Sequence, residues 1–412
     1  MNHRFKSSIV RLNRTLWFIL GMAWLAGVGA VQGETNVGWH TVVIRAQVPT
    51  NVGTVYLTGN RPELGNWQPR TFAMTGTNQE RTATLRLPAG TKLEYKFTLS
   101  SWDREGLGPS GTILPNHRLT VDKDQDVTVV IADFRKDTAD YLDDWKGSGV
   151  LGRLEYWKNV PSKFLTPTRH VEIWLPPGYD EQTTNRYDVL YMHDGQNLFD
   201  PRIANTGVDW GVDEAVVRGM NAGKLPPLIV VGIWCTDQRL REYSPWHLGT
   251  NYARFLIEEL MPLVNQKFRT RTGPQHTAVT GSSMGGLISF WLCWQHPEVF
   301  GSGGCLSSAL MWNERFLSPT GEARPFLEQE IASDAKFPRG ARLYFDYGTR
   351  EGSGAFESLH NKLAAWLETQ GWNVGTDFVI RKIEGAEHNE AAWRARLDEP
   401  LLFLFGKQAK AP

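Results

Sequence analysis

The run Thr277-Ala278-Val279-Thr280-Gly281-Ser282-Ser283-Met284-Gly285-Gly286-Leu287-Ile288-Ser289-Phe290-Trp291-Leu292 places a Gly-x-Ser-x-Gly corner between two apolar segments. The residues before the corner favour a strand and those after it recur at helical spacing, so the run predicts a strand, a sharp turn and a helix. Gly281 and Gly285 leave space for such a turn. Ser283 is then predicted to stand exposed beside the helix N-terminus, where unpaired N–H groups stabilise developing negative charge. The alternative is an ordinary glycine-rich loop.

Strand-like and helical patterns alternate through residues 151–412. Apolar strand-like runs occur at 171–175, 187–192, 228–233, 303–306, 342–347 and 377–383. Helical spacing of apolar residues occurs between several of them, as at 252–264 and 357–367. This alternation predicts an α/β fold with a mostly parallel sheet that helices cover on both faces.

A nucleophilic serine requires a base, and His388 is predicted to be that base. In α/β-hydrolase folds an acid and then a histidine follow the serine, on loops after later strands. His388 lies in a loop after the last strand-like run, ahead of a final helical segment. His296 falls at the far end of the helix that Ser283 begins, and His360 falls inside a helical pattern. Both of these are therefore predicted to have structural roles.

The orienting carboxylate is predicted to be Glu351. It lies in the loop beyond the strand 342–347, at the edge where open sheets carry their sites. Asp346, within that strand, is the alternative. A glutamate can hold an imidazole as an aspartate does.

Two backbone N–H groups are predicted to hold the oxyanion. One belongs to Met284, the residue after the nucleophile. The other is predicted in the region of Gly195 and Gln196, directly after the second strand-like run. His193 and Asp194 are predicted to form a hydrogen-bonded pair that holds this loop, without a catalytic role.

Residues 38–133 have a different pattern, in which turn residues separate short strand-like runs. These runs are at 42–48, 53–59, 82–87, 93–98 and 127–131. Regular spacing of this kind predicts a small all-β sandwich. The polar, glycine-ended segment 134–150 is predicted to link it to the α/β domain.

Several motifs of the sandwich region occur in the order of a known family. They are Val55-Tyr56-Leu57-Thr58-Gly59, Pro62-Glu63-Leu64-Gly65-Asn66-Trp67, Leu87-Pro88-Ala89-Gly90-Thr91, Glu94-Tyr95-Lys96-Phe97 and Pro115-Asn116-His117-Arg118. With them the region resembles the starch-binding carbohydrate modules of family 20. The resemblance implies that Trp67 stacks on glucose and that Lys96 and Asn116 hydrogen-bond an α-glucan. The family's second tryptophan has no counterpart at its place, 111–114, and Trp102 lies earlier. Glucan binding and a module that only spaces or shapes the cleft both stay open.

Three motifs of the α/β domain, 151–412, also point to one family. They are the serine corner, Tyr191-Met192-His193-Asp194-Gly195-Gln196-Asn197-Leu198-Phe199-Asp200, and Arg239-Leu240-Arg241-Glu242-Tyr243-Ser244-Pro245, which either lines the substrate pocket or braces it. The domain resembles the esterases that include enterochelin esterases, feruloyl and acetyl xylan esterases of carbohydrate esterase family 1, and S-formylglutathione hydrolase. In that family an aspartate commonly stands three residues after the glycine of a Gly-Thr-x-Asp motif, where this sequence has Glu351. The resemblance implies a serine esterase that works through an acyl-enzyme, with no cofactor and no metal.

The amino terminus predicts export. Residues 1–33 place four basic residues ahead of an apolar run at 16–28, a pattern typical of a secretory signal peptide cleaved near Ala30 or Gly33. The protein is therefore predicted to be secreted or periplasmic, and off the membrane after cleavage. The alternative is an uncleaved anchor helix. The three cysteines, Cys235, Cys293 and Cys305, are predicted to be buried free thiols. A disulfide between two of them is the alternative, and their spacing selects no pair.

The net charge of the chain bears on one class of partner, the nucleic acids. Lys and Arg number 44, as do Asp and Glu, so no net charge favours a nucleic-acid partner. The two resemblances together imply a serine carboxylic ester hydrolase that removes acetyl or feruloyl groups from carbohydrate, with the module raising the local substrate concentration. Two alternatives stay open: an esterase or thioesterase for a siderophore or another small molecule, and a non-catalytic carbohydrate-binding protein.

Overall fold

The computed structural model describes residues 38–111, 113–135, 149–317, 323–333, 336–337, 340–351 and 354–406. Trp39 and the described residues that follow it form one compact unit. The predicted signal peptide lies outside the described residues, and so does most of the predicted linker. Within these ranges, no helix combines the length and the apolar composition that crossing a bilayer requires.

Short strands build the N-terminal part of the molecule. They are β1 (Trp39–Gln47), β2 (Tyr56–Gly59), β3 (Phe72–Ala73), β4 (Glu80–Pro88), β5 (Lys92–Thr98), β6 (Gly106–Leu107), β7 (His117–Thr120), β8 (Gln125–Val130) and β9 (Asp133–Phe134). One sheet has the order β4-β1-β8, another has the order β3-β2-β5-β7, and β6 pairs with β9. Alternate side chains of β1 share one apolar core with the facing sheet, among them Val42, Ile44, Leu57, Leu93 and Phe97. The predicted all-β sandwich is confirmed, although the short strands β3, β6, β7 and β9 were not predicted.

An eight-stranded sheet forms the core of the rest of the described chain. Its strands are β10 (Arg153–Val160), β11 (Arg169–Leu175), β12 (Asp188–His193), β13 (Leu228–Ile233), β14 (Thr277–Ser282), β15 (Ser302–Leu306), β16 (Arg342–Gly348) and β17 (Phe378–Ile383), in the order β10-β11-β13-β12-β14-β15-β16-β17. Two strand pairs of this sheet are antiparallel, β10 with β11 and β11 with β13. The other pairs are parallel. The predicted mostly parallel sheet is therefore confirmed, with β10 as an edge strand that the sequence analysis missed.

Helices cover both faces of this sheet. They are α1 (Val212–Asn221), α2 (Arg239–Glu242), α3 (Gly249–Arg254), α4 (Met261–Lys267), α5 (Met284–Gln295), α6 (Phe326–Ala332), α7 (Ala355–Thr369), α8 (Glu390–Arg396) and α9 (Asp398–Phe405). In β12, Val189 and Tyr191 join the apolar core that contains α5 and α7, whereas Leu190 and Met192 join the core that contains α1 and α9. Successive strand side chains point to opposite faces, so this division places a helix layer on each side.

The helix predicted at 252–264 is longer and less regular than expected. It runs from α3 through a π-helical turn, Phe255–Leu260, into α4. Pro262, near the start of α4, has no N–H for the regular helical hydrogen bond. The π-helical turn ends at Leu260, two residues before this proline.

A buried ion pair ties β11 to α2, and its removal is predicted to destabilise the fold. Arg169 donates to both oxygens of Glu242 at 2.9 Å, and both side chains are essentially inaccessible to solvent. Glu242→Ala leaves the guanidinium buried without its partner, and we expect the free energy of unfolding in urea to fall by about 3–5 kcal/mol. Glu258→Ala, which breaks an exposed pair with Arg254, is the matched control and is expected to leave the midpoint unchanged. Equal midpoints for the two variants would contradict this account.

Candidate active site

Ser283 lies at the corner where β14 ends and α5 begins, and its backbone is strained there. Its φ of 57° and ψ of −118° fall in a region that costs a non-glycine residue roughly 1–3 kcal/mol. Gly281 makes the corner possible, because a Cβ at this position would lie 2.9 Å from the carbonyl carbon of Gly285. The Ser283 N–H donates to Leu306 O at 2.9 Å, and its C=O accepts the N–H of Ala309 at 3.0 Å. Main-chain bonds to the end of β15 therefore hold the strained corner.

The structure brings Glu351 and His388 together at the same edge of the sheet. Glu351 belongs to the acid loop, 348–351, and His388 to the base loop, 384–389. His388 Nδ1 lies 3.5 Å from Glu351 Oε2, which is long, although catalytic hydrogen bonds often tighten only when substrate is bound. The Glu351 side chain is fully buried, whereas His388 exposes 36% of its own. Ser283, Glu351 and His388 line one cleft.

A buried network surrounds the carboxylate of Glu351. Ser307 Oγ donates to Glu351 Oε1 at 2.7 Å, and it accepts from Trp393 Nε1 at 2.9 Å and from Arg396 at 2.7 Å. Burial by itself would raise the pKa of Glu351. The hydrogen bonds from His388 and Ser307 and the charge of Arg396 outweigh burial and hold this pKa below its ordinary value, so the carboxylate is ionised at neutral pH.

Asp346, the alternative acid, is bonded to other partners. Arg396 donates to both of its oxygens at 3.0 Å, and the Ser307 N–H donates to Asp346 Oδ1 at 3.0 Å. Burial raises the pKa of Asp346 even with Arg396 beside it. Arg396 also reaches Glu351 Oε1 at 3.4 Å. Asp346 therefore anchors the guanidinium that supports Glu351.

The acid loop and the base loop are bonded to each other directly. The Arg350 N–H donates to Ala386 O at 3.0 Å. The Gly385 N–H donates to Thr349 Oγ1 at 2.8 Å. These bonds set the separation of the two loops without the side chains of Glu351 and His388.

The loop after β12 holds the two residues predicted to supply the second oxyanion donor. It forms a buried 3₁₀ turn, Gly195–Asn197. The side chain of Gln196 accepts from the Cys235 N–H at 3.2 Å and donates to Cys235 Sγ at 3.0 Å. A Cβ on Gly195 would lie 2.5 Å from the carbonyl carbon of Gly232, so packing against β13 alone requires glycine here. Across the site Met284 is the first residue of α5, and its N–H therefore has no acceptor within the helix.

The residues on either side of this turn have partners on other elements. Arg239 donates to both oxygens of Asp194 at 2.7 Å, and His193 Nδ1 lies 2.9 Å from the hydroxyl of Tyr252. His193 and Asp194 thus support the loop through these separate contacts and not as the predicted pair. Arg239 both lines the cleft and braces Asp194.

The three other histidines considered have structural surroundings. Burial lowers the pKa of His193 to about 3 and that of His360 to about 4. His360 Nδ1 lies 2.7 Å from Phe356 O in the preceding turn of α7. His296 follows the last residue of α5 and lies 3.4 Å from Glu298. The structural roles predicted for His296 and His360 agree with these positions.

The N-terminal sandwich and the α/β domain line the same cleft, whose volume is about 1120 Å³. Trp67, Lys96 and Asn116, the residues that the family resemblance implies for sugar binding, all belong to its wall. Lys96 is buried, and its ammonium donates to Glu105 Oε2 at 2.7 Å and to Asn205 O at 3.4 Å. Asn116 is exposed and donates to Glu94 at 3.4 Å.

Sequence reasoning missed several residues of the site. Trp102 lies beside Trp67, with ring centroids 6.4 Å apart, although it does not stand at the family's position for a second tryptophan. Ser307 directly follows β15 at the carboxyl edge of the sheet, and this position could have flagged it. Trp393 and Arg396 lie three residues apart on α8 and so share a face, but no motif marks them.

The structure also places the three cysteine thiols and the types of residue that could bind a metal ion. The three cysteines are free, and Cys293 and Cys305 are buried as predicted. Cys235 is only half-buried and lines the cleft, so the prediction of burial is wrong for this thiol. Among the residues that the structure describes, no group of three or more His, Cys, Asp and Glu is placed to hold a metal ion.

Comparisons with known proteins agree with this architecture. The model of the family described as "Putative esterase" matches residues 162–404, and the starch binding domain model matches residues 40–130. The uncharacterized protein YbbA of Bacillus subtilis is 25% identical over 208 residues, which cover 47% of this chain and 74% of that protein. The endo-1,4-beta-xylanase/feruloyl esterase of Xylanibacter ruminicola is 26% identical over 186 residues, 42% of this chain and 23% of that enzyme.

A solved structure shares the fold over most of the chain. The enterobactin esterase FES from Shigella flexneri, in the presence of enterobactin, has a TM-score of 0.50 at 17% identity and covers 90% of this chain and 94% of that one. The esterase family match spans more than half of the 412 residues. The chain therefore belongs to the esterase family described as "Putative esterase", with a starch-binding domain ahead of the esterase domain.

Proposed function

We propose that this chain is a secreted or periplasmic serine esterase in which Ser283 is the nucleophile, His388 the base and Glu351 the orienting acid. The convergence of these three residues on one cleft carries the proposal. His388 takes the proton from Ser283 Oγ as that oxygen attacks the ester carbonyl, and it returns the proton to the departing alcohol. Water, activated by the same histidine, then cleaves the acyl-enzyme.

The buried network gives Glu351 its role in this scheme. The lowered pKa keeps Glu351 ionised, and its negative charge lies beside His388. The imidazolium that forms on His388 in the transition state balances that charge. The attraction is strong because the carboxylate is buried and screened little by water.

Backbone donors are proposed to stabilise the oxyanion. The N–H of Met284 is one of them, and the second comes from the region of Gly195 and Gln196. The side chain of Gln196 is already bonded to Cys235, so the donor in this region is a backbone N–H and not that side chain.

The proposed substrate is a carbohydrate-linked ester with an acyl group of acetyl or feruloyl type. The starch binding domain match supports a glycan partner, and the name of the Xylanibacter ruminicola relative joins feruloyl ester hydrolysis to xylan cleavage. Trp67, Lys96 and Asn116 are the proposed sugar contacts.

Hydrolysis of a siderophore ester is the alternative within the family. Among the described residues that line the cleft, seven carboxylates outnumber five Lys and Arg: Glu94, Glu105, Asp194, Asp237, Glu351, Glu387 and Glu390 against Lys92, Lys96, Arg118, Arg239 and Arg350. Such a lining disfavours a multiply anionic catecholate complex. A purely carbohydrate-binding protein is disfavoured as well, since it has no use for a strained Ser283 that lines one cleft with a histidine and a buried carboxylate.

The nucleophile assignment predicts a large and selective loss of activity. We expect Ser283→Ala to lower kcat by about 10⁴-fold or more on 4-nitrophenyl acetate, 4-nitrophenyl butyrate or methyl ferulate, whichever esters the wild type hydrolyses. Ser289→Ala is the control, because Ser289 lies on α5 and donates only to Gly285 O, and near wild-type rates are expected. Retention of wild-type activity by Ser283→Ala would exclude this mechanism.

The two carboxylates near Arg396 are predicted to respond differently to removal of their charge. Glu351→Gln should lower kcat by about 10⁴-fold, because an amide does not stabilise the imidazolium. Asp346→Asn leaves the buried guanidinium underpaired, and we expect the free energy of unfolding to fall by about 3–5 kcal/mol, with a smaller loss of kcat in the folded protein. Ester hydrolysis and urea unfolding measure the two effects. If Asp346→Asn instead lost the larger part of kcat at unchanged stability, Asp346 would be the acid.

A further inference from the structure

Two tryptophans of the N-terminal sandwich line the cleft that contains Ser283. The ring centroids of Trp67 and Trp102 are 6.4 Å apart, and their planes are inclined by 40°. Both side chains are half-buried, so each leaves part of its ring accessible from the cleft. The pair forms an angled apolar surface in the wall of the cleft that Ser283 also lines.

The backbone presents Trp67 at an energetic cost. Gly65, Asn66 and Trp67 have successive φ values of 74°, 47° and 68°, in a region that residues other than glycine occupy uncommonly. Leu64 is fully buried and anchors the loop in the sandwich core, and the Trp67 N–H donates to Gly59 O at 2.7 Å. Strain of this kind in a ring-bearing loop is typical of functional sites.

A buried cluster of three charges fastens the sandwich to the α/β domain. Glu105 lies 2.7 Å from Lys96 Nζ and 3.6 Å from the Arg135 guanidinium. The two cations also donate across the interface, Lys96 to Asn205 O at 3.4 Å and Arg135 to Ile203 O at 2.9 Å. Separation of the domains would break contacts of charges that are all buried, which is costly. The sandwich is therefore held in one position over the cleft.

Hydrogen bonds connect this charge cluster to the turn that holds the candidate oxyanion donors. The Asn205 N–H donates to Asn197 Oδ1 at 2.8 Å, and Asn197 is the last residue of the turn Gly195–Asn197. Lys96 is thus two hydrogen bonds away from that turn. A sugar bound to the tryptophans and an ester carbonyl at Ser283 are therefore held by parts of the protein that are firmly connected to each other.

We propose that Trp67 and Trp102 form a subsite of the catalytic cleft, which holds sugar rings of the same substrate molecule whose ester carbonyl lies at Ser283. The proposal rests on the esterase function proposed above and specifies its substrate as an acylated oligosaccharide. Gln68, Asn116 and Arg118 line the same cleft as the two rings and carry hydrogen-bonding groups. An aromatic face surrounded by hydrogen-bonding groups suits a pyranose ring, which presents C–H groups on its faces and hydroxyls at its edge.

The size of the cleft fits this occupant. Its volume of about 1120 Å³ exceeds the range of roughly 300–1,000 Å³ that is usual for small-molecule pockets. A tethered module behaves differently, because it binds polysaccharide at a separate site and only raises the local concentration of substrate. For a soluble oligosaccharide ester, a tether gives no kinetic advantage, whereas a subsite lowers KM.

The test compares soluble sugar esters with an ester that has no sugar. We would measure kcat and KM of the wild type, Trp67→Ala, Trp102→Ala and the double variant on partially acetylated maltoheptaose, partially acetylated xylohexaose and 4-nitrophenyl acetate. The expected result is a loss of about tenfold in kcat/KM for each ring removed, mainly through KM, on the acetylated sugar that fits. The ratio of kcat/KM on the acetylated sugar to kcat/KM on 4-nitrophenyl acetate, which has no sugar for the rings to hold, should therefore fall. Maltoheptaose or xylohexaose without acetyl groups should inhibit the wild type competitively and the double variant weakly.

Controls separate this proposal from the esterase function on which it rests. Trp39→Ala removes an exposed ring of the same sandwich and should leave all three substrates unaffected. If the double variant hydrolysed the soluble sugar esters like the wild type but no longer bound insoluble starch, the module would be a tether and the subsite proposal would fail. It would fail equally if 4-nitrophenyl acetate were a substrate and neither sugar ester were. Loss of the Ser283 dependence itself would instead refute the esterase mechanism.

Discussion

One buried guanidinium holds the candidate site together. Arg396 reaches from α8 to the end of β16 through Asp346, to the residue after β15 through Ser307, and to the acid loop through Glu351. A buried cation is tolerated only where carboxylates and hydrogen bonds compensate it, so the packing of three separate segments is fixed by the same side chain. The position of Glu351 relative to His388 therefore depends on how β15, β16 and α8 pack together, and not on the acid loop alone.

Much of this architecture could be predicted because the signals are local. The Gly-x-Ser-x-Gly corner, the alternation of strands and helices, and the place of Glu351 beyond a strand end are all visible within short windows of sequence. The support of Glu351 is not, since Ser307, Trp393 and Arg396 come together only when β15, β16 and α8 pack. β10 was missed for another reason: it is an edge strand whose side chains are mostly half-exposed, and it lacks the apolar run that marks a buried strand.

Trp102 shows how a family template can mislead. The template expects a second aromatic ring shortly before the Pro-Asn motif, and none stands there. In the folded sandwich a 3₁₀ turn after β5, Trp102–Arg104, brings a ring to Trp67 by a different route. Distance along the chain therefore said little about which rings meet. β2 and β5 are antiparallel, so the loop after β2 starts at the far end from the turn that carries Trp102, and it returns to that end at Pro69, whose C=O accepts from Thr98 Oγ1 at 2.5 Å.

The hydrogen bonds between the acid loop and the base loop have a consequence for motion. Because the Arg350 N–H is bonded to Ala386 O and the Gly385 N–H to Thr349 Oγ1, thermal displacement of one loop carries the other with it. Glu351 is itself bonded to Ser307 and Arg396, so the same bonds connect the base loop to the buried network, and the carboxylate and the imidazole keep their mutual geometry. An insertion in either loop would have to be matched in the other.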